Sequence, residues 1–216
     1  MTRYAVQTQS GKTPSDEDIW MSIRHKDLDR RVRNFLWKCV HQTYKCGSYW
    51  RNIPDYEHLA VCPTCNVDDN IKHALLECNS PGQELIWKLF SNMPQMSIGL
   101  ILGCGLTEFK NSRGQNIPEA SRLFKIIVSE SAFLAWKIRC ERLMSRKTFH
   151  TDSEIHNQWI TCINNHLKLD HRCTSRYGNR ALNFATVLKT WDGVLMDNNN
   201  GQQKSARKIG SGSLRF

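Results

Sequence analysis

The chain has 216 residues and a formal net charge of +10, with 30 Lys and Arg residues against 20 Asp and Glu residues. It contains no apolar run near the roughly 18 residues that a membrane-spanning helix needs, and its N-terminal residues lack the apolar core of a secretory signal. The sequence therefore predicts an intracellular protein, in the nucleus or the cytoplasm, with no membrane partner. The basic surplus is typical of a protein that binds RNA or DNA.

The distribution of residue types predicts three regions. Residues 1–14 are polar and contain Gly11 and Pro14, so we expect a flexible N-terminal segment. Residues 15–197 carry helical apolar patterns and predict a mainly α fold, a helical domain with an embedded Cys₃His zinc knuckle. Residues 198–216 contain four basic residues, no acidic residue and no apolar periodicity, which predicts a disordered basic tail.

The first helices are predicted from caps and apolar spacing. Ser15 followed by Asp18 predicts a capping box, and Asp27 is placed to cap the next helix. The apolar positions of that next helix follow helical spacing: Val32, Phe35, Leu36, Cys39 and Val40. Its other faces carry a first set of candidate nucleic-acid-binding residues: Arg30, Arg31, Arg33 and Lys38.

Four metal-ligating side chains lie within residues 61–79. Cys62 and Cys65 flank a tight turn, and His73 and Cys78 follow in a segment long enough for about one and a half helical turns. Thiolate and imidazole ligands suit Zn²⁺, and a Cys₃His set fills its tetrahedral shell without leaving a position for water or substrate. The spacing therefore predicts a structural Zn²⁺ site. The alternative is four small buried residues that only pack together.

Further helices are predicted after the knuckle, the last of them a short one that ends near Trp191. Ser80 is placed as a cap with Gln83 as its capping-box partner, and a long, largely buried helix is expected from Pro118. Thr151 and Glu154 predict a capping box before a helix that packs on the long one. The C-terminal half of the long helix carries a second set of candidate nucleic-acid-binding residues: Lys137, Arg139, Arg142 and Arg146. The alternative for this second set is a solvated charged face.

Aromatic and acidic clusters leave alternatives open. Tyr44, Tyr49 and Trp50 are candidates for stacking on nucleic-acid bases, although such residues are more often part of a core. The acidic residues at 16–18 and at 68–69 are the candidates for binding catalytic Mg²⁺. Both groups have the pattern of helix caps or solvated turns, so we do not expect the protein to be an enzyme.

Several stretches of sequence resemble a known family. The chain resembles the zinc-binding region of LINE-type reverse transcriptases in residues 33–38 (RNFLWK), in the Cys-x2-Cys-x7-His-x4-Cys motif and in the Trp87 that follows. Four stretches are also similar to basidiomycete fungal proteins that carry this region, often downstream of a ribonuclease H-like domain: residues 50–54 (WRNIP), 76–83 (LECNSPGQ), 101–106 (ILGCGL) and 154–159 (EIHN-x-W). The resemblance extends from about residue 18 to residue 197.

The resemblance implies both ligands and partners. It implies that Cys62, Cys65, His73 and Cys78 are the metal ligands, that the region helps to hold template RNA or target DNA, and that an upstream reverse transcriptase or ribonuclease H domain is a partner. Two departures from the family are visible: Asp69 stands where the family usually has Glu, and the tail after residue 197 is unlike the family.

The sequence leaves two functional interpretations. The leading one is a non-catalytic zinc-knuckle module of reverse-transcriptase or retrotransposon origin, in which Zn²⁺ fixes the knuckle and basic helices contact the phosphates of RNA or DNA. The alternative is a zinc-stabilised protein-interaction scaffold that does not bind nucleic acid and whose basic faces are only solvated. The salt dependence of binding to nucleic acid distinguishes the two.

Overall fold

A computed structural model describes residues 2–89, 95–144, 150–175, 178, 181–192 and 194. Within these ranges the chain forms eight α-helices: α1 (Thr2–Ser10), α2 (Asp16–Ser22), α3 (Arg30–Val40), α4 (Gln83–Lys88), α5 (Ile98–Leu102), α6 (Pro118–Met144), α7 (Asp152–Cys173) and α8 (Phe184–Trp191). Short 3₁₀ turns cover Gly47–Trp50, Glu57–Ala60 and Cys104–Leu106, and a π-helical turn covers His73–Glu77.

The predicted mainly α fold with a Cys₃His cluster is confirmed. The described residues contain no β-strand, only two isolated bridges. None of the described helices has the length and apolar character needed to cross a membrane. The tail predicted to be disordered, residues 198–216, lies outside the described part of the chain.

Helix α6 is the centre of the fold, as its apolar pattern predicts. Almost every side chain over residues 122–136 is buried. Helix α3 packs on α6 through Phe35, whose ring centroid lies 5.6 Å from that of Phe133. Helix α7 packs on it through Trp159, whose indole N–H donates to Ser131 Oγ at 2.8 Å. Because neighbours cover most of its apolar surface, α6 fixes the positions of α3 and α7.

The N-terminal segment, for which flexibility is predicted over residues 1–14, contains a helix. Residues 2–10 form α1. Val6 on this helix is only 2% exposed, and α1 packs against α5. Gly103 permits this close approach, since a Cβ atom there would lie 2.3 Å from Val6 Cγ2. The polar composition hid the helix because its docking depends on few apolar residues.

Two of the three predicted capping boxes are confirmed. Ser15 and Asp18 cap α2, and Thr151 and Glu154 cap α7, each pair through reciprocal side-chain and backbone hydrogen bonds. Helix α3 also has a capping carboxylate, but it comes from Asp29, which accepts a hydrogen bond from the second residue of the helix. These caps satisfy amides that have no partner within their own helices.

The prediction that Asp27 caps α3 is wrong, because its carboxylate belongs to a buried ionic network. Asp27 accepts hydrogen bonds from Arg122 Nε at 3.0 Å and from Lys125 Nζ at 3.1 Å. Arg122 also donates to both carboxylate oxygens of Asp170, at 2.9 and 2.8 Å, and the Trp191 indole donates to Asp170 at 2.9 Å. Buried charges are stable only when they are paired. The network therefore joins α6, α7, α8 and the segment that precedes α3.

Protonation of Asp27 is expected to destabilise the protein at acid pH. Burial raises the pKa of this carboxyl, but the hydrogen bond with His25 and the charges of Arg122 and Lys125 outweigh burial and hold the pKa well below its usual range. A carboxyl with a lowered folded-state pKa stabilises the fold above its unfolded pKa of about 4, and that stability is lost as the pH falls toward the folded pKa. Urea unfolding at a series of pH values should therefore show a falling free energy of unfolding below about pH 4.

The Asp27→Asn variant provides the comparison for this acid effect. It should be less stable than the wild type at neutral pH, because Arg122 and Lys125 lose a buried carboxylate. Its free energy of unfolding should fall less on acidification, because the site no longer binds a proton. An equal acid loss in the variant and the wild type would show that other carboxyls cause the effect.

Candidate metal centre

The four predicted ligand residues come together in space. One ligand atom from each of Cys62, Cys65, His73 and Cys78 lies within 4.8 Å of the others. Cys78 Sγ is 3.8 Å from Cys62 Sγ and 3.9 Å from Cys65 Sγ, far longer than the roughly 2.05 Å of a disulfide bond. Among the described residues, this is the one group of His, Cys, Asp or Glu side chains arranged to hold a metal ion. The cluster can therefore bind a metal ion.

A tight turn carries the first two thiols. The Cys62 amide donates to the Val67 carbonyl at 2.8 Å, and the Asn66 amide donates to the Cys62 carbonyl at 2.9 Å. Asn66 has a φ of 55°, a left-handed conformation that Asn adopts more readily than most residues. These bonds close the turn and bring the thiols of Cys62 and Cys65 to one position.

A π-helical turn carries the other two ligands. The Cys78 amide donates to the His73 carbonyl at 2.9 Å, which is a hydrogen bond across five residues. In an α-helix two positions five residues apart would point about 140° away from each other. The wider π-turn reduces this angle and brings His73 and Cys78 toward the same side. Asn70 fixes the start of the turn, because its side-chain oxygen accepts from the His73 amide at 2.9 Å.

The imidazole of His73 has an unpartnered nitrogen. His73 is buried, and its Nε2 has no hydrogen-bond partner within the described residues. Burying a polar nitrogen without a partner costs free energy. A metal ion bound at Nε2 would remove this cost, so the residue fits the role of a ligand.

The acidity of Cys78 distinguishes it from a packed, inert cysteine. Burial alone would raise the pKa of the Cys78 thiol, but hydrogen bonds with Ser80 and the charge of Arg142 lower it. Arg142 Nη2 lies 3.6 Å from Cys78 Sγ. Burial raises the pKa of Cys62, and it raises that of Cys104, outside the cluster, to about 12. Because metals bind the thiolate, the surroundings of Cys78 favour metal binding.

Polar contacts from the segment before α4 hold the cluster from the outside. The prediction that Ser80 caps α4 is wrong: Gly82 occupies that position, and Ser80 Oγ donates to Thr64 Oγ1 at 2.7 Å. The side-chain amide of Gln83 donates to the Cys78 carbonyl at 2.8 Å. Both contacts join the start of α4 to the knuckle, so the predicted capping residues support the metal cluster instead.

Arg139, predicted to contact nucleic acid, lies in the interior of the fold and not on its surface. Arg139 is buried, and its Nε and Nη2 both donate to Asp69 Oδ2, with Nε at 3.1 Å. Its guanidinium also lies 4.7 Å from the centroid of the Trp136 ring. Asp69 is also buried, so the prediction that it lies in a solvated turn is wrong. This pair anchors the knuckle to α6.

The predicted basic residues of α3 have different surroundings. Arg30 and Arg31 are exposed at the start of the helix. Arg33 is half-buried, and its Nε has no hydrogen-bond partner among the described residues. Lys38 is half-buried, with its Nζ 5.5 Å from the centroid of the Tyr44 ring. Of this set, Arg30 and Arg31 are therefore the most accessible to a phosphate.

The predicted basic residues of α6 also differ in their surroundings. Lys137 is exposed and lies 3.4 Å from Glu141 in an ion pair. Arg142 lies against the metal cluster, and its Nε has no hydrogen-bond partner in the described part of the chain. Arg146 lies outside the described residues. Within the second set, Lys137 is thus the described cation most open to a polyanion.

Arg31 and Lys137 line one groove, which we call the α7 groove. It lies between the start of α3, α6 and α7 and encloses about 680 Å³. Two further exposed cations line it from α7, Lys168 and Arg172, and sequence reasoning missed both. They lie four residues apart on a polar stripe of the helix. Applying helical periodicity to polar residues, and not only to apolar ones, would have found them.

Two acidic residues also line the α7 groove. Asp29 pairs with Arg31 at 3.3 Å. Glu130 is buried, and its carboxylate lies 3.1 Å from Nδ1 of the buried His166. The four cations therefore outnumber the two acids, and the groove carries a positive charge.

The aromatic cluster contains both core and surface residues. Tyr44 packs on Trp136 with ring centroids 4.3 Å apart, which supports the core interpretation for this residue. Tyr49 and Tyr56 are 46% and 50% exposed. Trp50 stacks on Tyr56 with centroids 5.7 Å apart. Aromatic rings are therefore accessible on the surface that precedes the knuckle.

Comparison with known proteins finds no match to a family model, to a curated protein or to a solved structure.

Proposed function

We propose that the chain is a non-catalytic nucleic-acid-binding module with a zinc knuckle, of reverse-transcriptase or retrotransposon origin. The α7 groove carries this proposal: Arg31 and Lys137, predicted from separate segments, line it together with Lys168 and Arg172. Exposed cations on the walls of a concave surface concentrate positive potential where a phosphate backbone can lie. The two acids of the groove offset only part of this charge.

The metal in the knuckle is proposed to be Zn²⁺. Three thiolates and one imidazole are a ligand set that suits this ion. Zn–S bonds of about 2.3 Å in a tetrahedron place sulfur atoms about 3.8 Å apart, in agreement with the separations of 3.8 and 3.9 Å. With four protein ligands, Cys62, Cys65, His73 and Cys78, no position is left for substrate. The bound ion would stabilise the fold by joining the Cys62 turn to the π-turn.

The carboxylates near the knuckle support a role without catalysis. Asp68 Oδ1 lies 2.7 Å from Arg51 Nη2, and Asp69 is paired with Arg139. Two-metal hydrolysis or polymerisation needs carboxylates that converge on shared metal ions. These two carboxylates are instead each neutralised by an arginine.

The resemblance in residues 33–38 and in the ligand motif supports the proposed origin. In that setting the module would act beside an upstream reverse transcriptase or ribonuclease H domain and would help to hold RNA or DNA, in the nucleus or the cytoplasm. The buried Asp69–Arg139 pair would couple the knuckle to α6, and thus to a wall of the α7 groove.

Reversing the α7 cations is expected to weaken nucleic-acid binding. In Lys168→Glu/Arg172→Glu two phosphate contacts are lost and replaced by repulsion. At about 0.1 M salt each contact with a single strand contributes about fivefold through counterion release, so affinity should fall at least about 25-fold. Fluorescence anisotropy with a labelled single-stranded oligonucleotide measures the change.

Lys110→Glu/Arg113→Glu is the matched control for this experiment. Both residues are exposed and lie outside the α7 groove, so the control changes the net charge equally. Equal weakening in both variants would indicate a general charge effect and contradict a role of the groove. An absence of binding by the wild type would favour the zinc-stabilised protein-interaction scaffold, for which the exposed Tyr49 and Tyr56 offer a contact surface.

A further inference from the structure

We infer that the α7 groove binds single-stranded nucleic acid and distinguishes its bases through amide side chains of α7. Asn157, Gln158 and Asn165 line the groove together with the hydroxyl of Thr161. An amide offers both donors and an acceptor, which are the groups that base edges require. The inference rests on the proposed function, because it takes the groove cations as the contacts for phosphates.

The polar residues form one stripe along α7. Residues 158, 161, 165, 168 and 172 follow steps of three or four, so they share one face of the helix. The amides and the hydroxyl occupy the first part of this stripe, and Lys168 and Arg172 occupy the last part. A strand lying along α7 would therefore meet hydrogen-bonding groups and charges in succession.

Cations from the facing walls also reach the amide part of the stripe. Cys162 lies in the middle of it, between Thr161 and Asn165. Burial and the charge of Glu130 raise the pKa of Cys162, and the nearby charges of Lys137 and Arg31 lower it. Two cations and one carboxylate therefore lie beside the amides, so a phosphate backbone can be held there while its bases contact α7.

Gln158 has an unused hydrogen-bonding group at this surface. Its Oε1 is buried and has no partner within the described residues. A buried amide oxygen without a partner costs free energy, which a native fold usually avoids. If the side chain rotates so that this oxygen faces the groove, an amino group on a base edge would provide the missing donor. Gln158 therefore has a hydrogen-bonding capacity that the described fold leaves unused.

The shape of the groove favours a single strand over a duplex. About 680 Å³ lies within the range of roughly 300–1,000 Å³ in which proteins enclose a small ligand, so the groove has room for only a few nucleotides. A duplex presents its base edges inside its own grooves, where a protruding element of the protein must enter. Unpaired bases can instead turn into a concave surface and expose their pairing edges.

Binding to homopolymers tests the inference. Anisotropy is measured with labelled oligo-U, oligo-C and oligo-A of about eight nucleotides and with a duplex of the same length. The wild type should bind one homopolymer about tenfold more tightly than the weakest one, and should bind the duplex less tightly than that preferred strand. In Asn157→Ala/Gln158→Ala/Asn165→Ala this preference should fall below about twofold, while the salt dependence is unchanged because the cations remain.

Asn34→Ala is the matched control, since Asn34 is an exposed amide on α3 that does not line the groove, and it should keep the preference. If the triple variant does not fold, the exposed pair Asn157→Ala/Asn165→Ala should reduce the preference by itself. Equal wild-type affinity for all homopolymers, equal affinity for the duplex, or a preference that survives these substitutions would overturn the inference and leave the proposed function intact. No binding to any oligonucleotide at low salt would overturn the proposed function itself, and the inference with it.

Discussion

Replacing His73 with Ala is expected to release the metal from the cluster and to unfold the knuckle. The change removes one of four ligands, and in small zinc domains the metal contributes on the order of 10 kcal/mol to folding. Because most of the core around α6 is built from residues outside the knuckle, we expect the loss to concentrate in residues 61–79. Elemental analysis after zinc-replete expression should find about one zinc per wild-type chain and little in the variant. Hydrogen exchange should become faster across the knuckle.

Cys173→Ser is the matched control for the loss of a ligand. Cys173 is a half-buried free thiol at the end of α7 and lies outside the cluster, so its replacement should leave the zinc content unchanged. Cys65→Ser, in contrast, should behave like His73→Ala. A wild-type protein that contains no zinc, together with unchanged hydrogen exchange in both ligand variants, would refute the metal site.

Replacing Arg139 with Met is expected to destabilise the protein by about 3–5 kcal/mol. The substitution leaves the buried carboxylate of Asp69 without its cation, and an uncompensated buried charge is among the most costly single defects. The contact with the Trp136 ring is lost as well. Chemical denaturation measures the difference in the free energy of unfolding.

Two further variants distinguish the loss of a buried ion pair from the loss of a surface charge. Lys137→Met removes an exposed charge two residues away on α6 and should change stability by less than about 1 kcal/mol. The double variant Asp69→Asn/Arg139→Gln removes both charges and should recover part of the loss, because neither charge is left unpaired. If Arg139→Met were as stable as the wild type but bound nucleic acid less tightly, Arg139 would be a surface contact after all.

Local patterns in the sequence predicted the metal cluster and the central helix well. The motif places Cys62, Cys65, His73 and Cys78 within seventeen positions, so short-range geometry alone nearly decides which side chains meet. The capping boxes at Ser15 and Thr151 are similarly local, since each depends on residues three positions apart. For features of this kind, sequence spacing contains most of the structural information.

Long-range pairing explains the predictions that were wrong. Asp27 and Asp69 both have the local pattern of caps or turns, yet their partners Arg122 and Arg139 lie 95 and 70 residues away. Periodicity within one helix cannot reveal which charge on another helix will neutralise a buried carboxylate. The same reason explains why Arg139 resembled a phosphate contact.

The α7 groove could be predicted only in part. The basic residues Arg31 and Lys137 were visible in the sequence, but their convergence depends on how α3 and α7 pack against α6. Lys168 and Arg172 could not be singled out, because the apolar stripe of α7 shows which face is buried but not which polar residues line a groove. A groove between three helices is a tertiary feature, so its lining becomes apparent only when the helices are placed.

Whether the groove cations bind phosphate is measured most directly by the salt dependence of affinity. A labelled single-stranded oligonucleotide is titrated with zinc-loaded protein between about 50 and 200 mM salt. If Arg31, Lys137, Lys168 and Arg172 each neutralise one phosphate, the slope of log K against log salt should be about −3, because each contact contributes about −0.7. A slope near zero, or no binding at the lowest salt, would contradict nucleic-acid binding by this groove.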